Sequence, residues 1–165
     1  MKWIVVFSFS ILCIFCTSLI LNIIACDPDK ALLQTFTKEL QKYEFLISNK
    51  RYGLLIDYDR PIFMKRLWVL DMETFWPVLC TRVSHAWKSG LIYPSSFSNV
   101  PNSNRSSFGA FVTRQSYSGD YGLGMRIEGL EKGKNDNVRR RAIVFHPGKF
   151  WSSGCFLVVS QRLPT

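Results

Sequence analysis

Arg141-Ala142-Ile143-Val144-Phe145-His146-Pro147-Gly148-Lys149-Phe150-Trp151-Ser152-Ser153-Gly154-Cys155 is the stretch on which the reading of this chain turns. Ala142 to Phe145 is apolar and includes β-branched residues, and it ends on His146 beside a Pro-Gly breaker, so a strand is predicted to deliver a histidine to a loop. Ser152-Ser153-Gly154 then leads into Cys155 and a second strand-like run, Phe156 to Val159. Adjacent strands would bring an imidazole and a thiol to the same end of a sheet. A thiolate is a strong nucleophile, and a neighbouring imidazole can take its proton and later return it to a leaving amine. Gly154 permits close backbone approach, so the amides of Ser153, Gly154 and Cys155 are candidates to face a developing oxyanion. The residues alone leave a second reading open, in which His146 caps a strand and Cys155 is a small buried hydrophobe.

Working outward, the chain from residue 51 is punctuated into short aromatic and aliphatic runs: Tyr52 to Tyr58, Arg66 to Met72, Phe75 to His85, Phe108 to Thr113 and Tyr121 to Ile127. Period-two strands separated by turn residues predict a mainly β domain. Gly129 to Asn137 reads as a turn-rich loop before Arg139 opens the central strand. Residues 88 to 107, rich in Ser, Asn, Pro and Gly, form the longest irregular segment, of the kind that carries function or is disordered. There Ser103, Asn104, Ser106 and Ser107 offer hydrogen bonds, and Arg105 could pair with a carboxylate. Upstream, residues 27 to 50 read as a helix, with Asp27 before Pro28 as cap and Leu32, Phe36, Leu40, Tyr43 and Ile47 at helical spacing.

At 165 residues there is room for one domain and a short anchor. The formal charge of +9 makes the surface basic, which points to anionic partners. Trp3 to Ala25 is almost uninterrupted apolar and follows Lys2, the pattern of a secretion signal or a membrane anchor. Ile23-Ile24-Ala25-Cys26 resembles a bacterial lipobox, in which Cys26 would be lipidated; an uncleaved anchor and simple cleavage after Ala25 are the alternatives. Export argues against a nucleic-acid role, and Arg139-Arg140-Arg141 is the only dense basic run, without a recognition pattern. Outside the apolar segment only Cys26, Cys80 and Cys155 remain. Cys80 reads as core packing, although a Cys80 to Cys155 disulfide is conceivable in an oxidising compartment. No cluster has metal-ligand spacing.

Ser152-x-Gly154-Cys155 preceded by a strand ending in His146 resembles the signature of the bacterial L,D-transpeptidases, the YkuD-type cell-wall enzymes. Five upstream blocks resemble the murein L,D-transpeptidase catalytic domain branch in particular: Arg66 to Asp71 (RLWVLD), Val83 to His85 (VSH), Phe97 to Gly109 (FSNVPNSNRSSFG), Tyr121 to Leu130 (YGLGMRIEGL) and Asn135 to His146 (NDNVRRRAIVFH). The resemblance implies a YkuD-type β-sandwich or barrel-like sheet domain over residues 51 to 165, after a hydrophobic segment (1 to 26) and a helical linker (27 to 50). It implies Cys155 as nucleophile, His146 as base and acid, Ser152 as support for the histidine or the turn, and His85 near the site as a substrate-binding residue. No cofactor or metal is implied. The expected location is the bacterial cell envelope, with the domain outside the cytoplasm.

The resemblance also implies the reaction: attack on the diaminopimelate carbonyl of a peptidoglycan stem peptide, loss of the terminal D-alanine and transfer to an amine. The chain departs from the branch in three places. Ala86 stands where a glycine is usual, Cys155 follows His146 by only nine positions, and Phe156-Leu157 replaces Pro-Ala. A C-terminally shortened copy is therefore expected. A degenerate, non-catalytic relative, acting as a membrane-anchored wall-binding protein or left by a decaying gene, is the alternative to an active transpeptidase.

Overall fold

The computed structural model describes residues 26–159. The apolar segment and the signal, anchor and cleavage expectations placed on residues 1–25 lie outside the described residues, whereas Cys26 lies within them. Among the described residues no helix is long and apolar enough to cross a membrane.

The fold is mainly β, with three layers stacked on alternating side chains. Helix α1 (Lys30–Tyr43) runs into a 3-10 turn, Glu44–Leu46. Its cap is Asp29 rather than the expected Asp27: the Asp29 carboxylate accepts the Ala31 N–H at 2.7 Å, satisfying one orphan donor of the first turn. Strands β1 (Tyr52–Ile56), β2 (Leu67–Asp71) and β3 (Pro77–Thr81) form an antiparallel sheet in that order. Leu55, Trp68 and Cys80 are register partners across it. Together with Leu70 they form a buried cluster covered by Leu32, Leu33 and Phe36 of α1. Because side chains alternate across a strand, Leu54, Ile56, Leu67 and Val69 face the other way, into the main core with Val83, Ile127, Val138, Ile143, Phe145 and Phe156.

The second sheet is β4 (Phe111–Gly119), β5 (Gly122–Gly129), β6 (Val144–Pro147) and β7 (Phe156–Val158). Its order is β4-β5-β6-β7, antiparallel except that β6 and β7 run parallel. The free edge of β7 is taken by the chain leaving β3, through a bridge from Val83 to Val158 and the bonds Ser84 N–H to Leu157 O (2.9 Å) and Val159 N–H to Arg82 O (3.1 Å). Pairing there removes an exposed edge and carries the Val83-Ser84-His85 block onto the strand that follows Cys155.

The predicted strand opening at Arg139 starts later. Residues 135 to 142 are consecutive turns, with Val138 N–H to Asn135 O (3.0 Å), Arg141 N–H to Asn137 O (2.8 Å) and Ala142 N–H to Arg139 O (3.1 Å). Ala142 has φ 52°, a conformation a strand cannot contain, so β6 begins at Val144. In the turns Asn135 and Val138 are buried, Arg141 is half-buried, and Arg139 and Arg140 are exposed. The spacing of three follows from the turn geometry.

Candidate active site

Cys155 stands one residue before β7, and His146 lies inside β6. Phe145 pairs with Phe156 and His146 with Leu157, and the two phenyl rings stack at 4.8 Å. Extending the register one step back puts Cys155 beside Val144, so His146 is two positions further along its strand, about 7 Å by strand rise. Adjacent strands therefore carry the imidazole and the thiol, offset along the sheet. The Cys155 thiol donates to Ala142 O at 3.6 Å. Burial pushes its pKa up, opposed by the Val144 N–H and by the charge of Arg141. The ring of His146 stacks on Tyr121 at 5.0 Å, and Nδ1 lies 3.0 Å from Pro147 O. A carbonyl only accepts, so Nδ1 carries a proton, and in the neutral ring the lone pair is on Nε2. Among the described residues neither nitrogen is hydrogen-bonded to the sulfur.

The turn before the cysteine is built by Ser152. Its hydroxyl donates to Cys155 O at 2.5 Å and accepts the Gly154 N–H at 3.1 Å, while its carbonyl accepts the Trp87 N–H at 3.0 Å. Ser152 thus orders the turn and makes no hydrogen bond to the histidine, and the Gly154 amide is used within the turn. Gly154 itself is required. With φ 147° any side chain there is strained, although a Cβ would meet Ile143 and Arg105 O only at ordinary contact distances of 3.4 and 3.6 Å.

The residue that the sequence reading passed over is Arg141. Its guanidinium donates to Ser107 Oγ (2.6 Å), Ser103 Oγ (3.1 Å), Arg105 O (2.6 Å) and Ser98 O. Rather than forming part of a solvated run, it gathers the segment 98–107 around the cysteine. Asn99 adds three more ties, to Asp136 Oδ1 (2.7 Å) and to the Asn137 backbone and side-chain amides (3.0 and 3.1 Å). The irregular loop is therefore hydrogen-bonded, and its serines are committed: Ser103 and Ser107 to Arg141, and Ser106 Oγ to the Ala86 N–H at 2.8 Å. Arg105 keeps an exposed side chain beside the Gly154 turn. A spacing of three through Asn135, Val138 and Arg141 was the available signal.

His85 is inside the protein, with no side-chain surface exposed. Its Nδ1 accepts from Arg66 Nη2 at 2.8 Å, and its Nε2–H donates to Gly90 O at 2.8 Å. Both nitrogens are spent, which leaves none for a substrate and makes His85 a packing and positioning residue. Burial lowers its pKa, and the bond to Gly90 opposes that shift. Cys80 packs under α1 on the first sheet and Cys155 precedes β7 of the second, and the conceivable Cys80 to Cys155 disulfide is not formed. Beside the Ser152 turn a cleft of about 370 Å³ opens between Trp87, Leu91 and Trp151, with Lys88, Ser89 and Ser95 on its walls. Among the described residues no group of three or more His, Cys, Asp or Glu side chains could hold a metal ion.

No curated protein and no solved structure matches the sequence. The family of the L,D-transpeptidase catalytic domain does match, over residues 28–161, a span that takes in the helix, both sheets, the Arg141-bound loop and the Ser152–Cys155 turn. On that match the chain belongs to the L,D-transpeptidase catalytic domain family.

Proposed function

We propose that the protein is a cell-envelope L,D-transpeptidase that works by cysteine acyl transfer on the diaminopimelate–D-alanine bond of peptidoglycan stem peptides. The observation that carries the reading is the seating of Cys155. Its sulfur stands after a glycine-dependent turn, against a loop held by the half-buried cation Arg141, and a nearby cation favours thiolate over thiol. Burial keeps the resting group a thiol, so attack needs a base. The basic Nε2 of His146 supplies it once the ring leaves its contacts with Pro147 O and the exposed Tyr121; catalytic hydrogen bonds are often long before substrate binds.

The chemistry then runs in two steps. The thiol proton passes to His146 as sulfur bonds to the carbonyl carbon of the diaminopimelate residue. The amides of Ser153 and Cys155 face the oxyanion, the amide C–N bond breaks, and D-alanine leaves with the proton from His146. In the second step an amine of another stem attacks the thioester and gives its proton to His146, and the C–S bond breaks as the sulfur takes that proton back from His146 to restore the cysteine thiol. Arg105, exposed at the rim, pairs with a stem carboxylate, and the apolar residues 1–25 hold the domain at the membrane. No cofactor takes part. Incubating the full-length protein with a carbapenem and weighing it intact tests the reading. An adduct that disappears in Cys155→Ala is the expected result; a folded, reduced protein that takes up no drug is instead the non-catalytic wall-binding relative.

A further inference from the structure

Cys26, at the entrance to α1, is tied down from two sides. Its carbonyl accepts the indole N–H of the buried Trp68 at 2.7 Å. The next carbonyl, Asp27 O, accepts from Arg60 Nη2 at 3.2 Å, and the Arg60 guanidinium lies over the Trp68 ring at 4.8 Å. Trp68 is the register partner of Cys80 on β3, and Cys26 packs against the cluster that contains both. Both sulfurs are thiols, and the two side chains are hydrogen-bonded to each other. Two cysteines distant in sequence are thus held in contact by backbone bonds that neither sulfur makes.

We propose that Cys26 and Cys80 form a disulfide that locks the chain entering α1 onto the first sheet. The step requires a thiol–disulfide oxidant. Cys26, the more exposed of the two, loses its proton to solvent and attacks one sulfur of the oxidant, releasing the other as a thiolate. Cys80 then loses its proton and attacks the Cys26 sulfur of the mixed disulfide, and the second oxidant thiolate departs. The protein loses two hydrogens, and the oxidant disulfide becomes two thiols. Desolvation holds the Cys80 thiol high, with its bond to Cys26 adding to the shift, so closure quickens as pH rises. A sulfur joined to Cys80 cannot also carry a lipid thioether, so the bond competes with the lipobox reading of Cys26. Cys155, on the other sheet, keeps its thiol, and the proposal stands whether or not that thiol is catalytic.

The test uses the full-length protein in detergent, treated with oxidised glutathione, alkylated with iodoacetamide and digested without reduction. Mass spectrometry is expected to find one peptide pair joined through Cys26 and Cys80, with Cys155 alkylated. Closing the loop from residue 26 to residue 80 restricts the unfolded chain enough to raise the melting temperature by roughly 10 °C, an increase reversed by dithiothreitol and absent in Cys26→Ser. Native protein in which both cysteines are still alkylated after oxidation overturns the proposal, as does Cys26 recovered in another linkage or as a lipid thioether. A linked pair with no rise in melting temperature overturns the locking role.

Discussion

Cys155 is set between opposing influences. Burial favours the neutral thiol, while the Val144 N–H and the Arg141 charge favour the thiolate, and burial prevails. The thiol is therefore less acidic than an ordinary cysteine, and its alkylation rate should keep rising past pH 9.0, the unshifted value, because only the thiolate reacts. Arg141→Ala removes one of the two influences on the thiolate side, so the profile should move further up. Peptide-resolved iodoacetamide kinetics check both, and a Cys155 profile that levels off below pH 8 counts against this account of the site. Gly154 is the other fixed point, since its φ of 147° strains any residue with a side chain.

At the level of elements, the segment 98–107 is held from other segments, by Asn99 on the 135–137 turns, by Ser106 on Ala86 and most densely by Arg141. Ser98 O, Ser103 Oγ, Arg105 O and Ser107 Oγ all accept from Arg141. Removing the guanidinium takes away four hydrogen bonds, one of them to the exposed Arg105 backbone and one to Ser98 O, which keeps the Ser107 hydroxyl as a donor, at a cost of about 2 kcal/mol. Arg141→Ala should thus speed amide hydrogen exchange in residues 98–107 while α1 and β1–β3 keep their protection. Uniform loss of protection across the chain would show instead that the loop and the sheets open as one unit. The same contacts tie the FSNVPNSNRSSFG block to the NDNVRRR block, which explains why segments so far apart in sequence form one structure.

Across the whole molecule, the Arg66–His85 pair joins the layers. Arg66, with no exposed surface, donates to Val83 O (2.9 Å), Arg60 O (2.9 Å) and His85 Nδ1 (2.8 Å), and stacks over Tyr58 at 4.9 Å. Burial lowers its pKa to about 10. His85 has to stay neutral to accept from it, and its folded pKa lies below 6.5. A depressed folded pKa means that the unfolded chain binds the proton first. The contribution is then complete above pH 6.5 and is lost as pH falls below that toward the folded value. Thermal melts from pH 7.5 to 5 should show falling stability, and His85→Asn should flatten that part of the curve. An unchanged slope in the variant would assign the pH dependence to other groups.

Much of this protein is legible in the sequence. The strand runs and the turn punctuation placed β1, β2, β5 and β7 to within about two residues, though β4 runs on to Gly119 and β6 opens only at Val144, and pointed to Cys155 and His146 on neighbouring strands, because alternation and breakers are local properties of the chain. Three features required the tertiary structure. Arg139, Arg140 and Arg141 are chemically alike, and only the turns from 135 to 142 decide that Arg141 points into the loop. His85 looked like a site residue because its block is recognisable, yet its two nitrogens are occupied by Arg66 and Gly90, partners that sequence spacing does not reveal. The nearness of Cys26 to Cys80, and the two-residue offset of His146 from Cys155, follow from strand register and from a helix laid on a sheet. These are contacts between distant parts of the chain, decided by how the layers pack and not by any local pattern of residues.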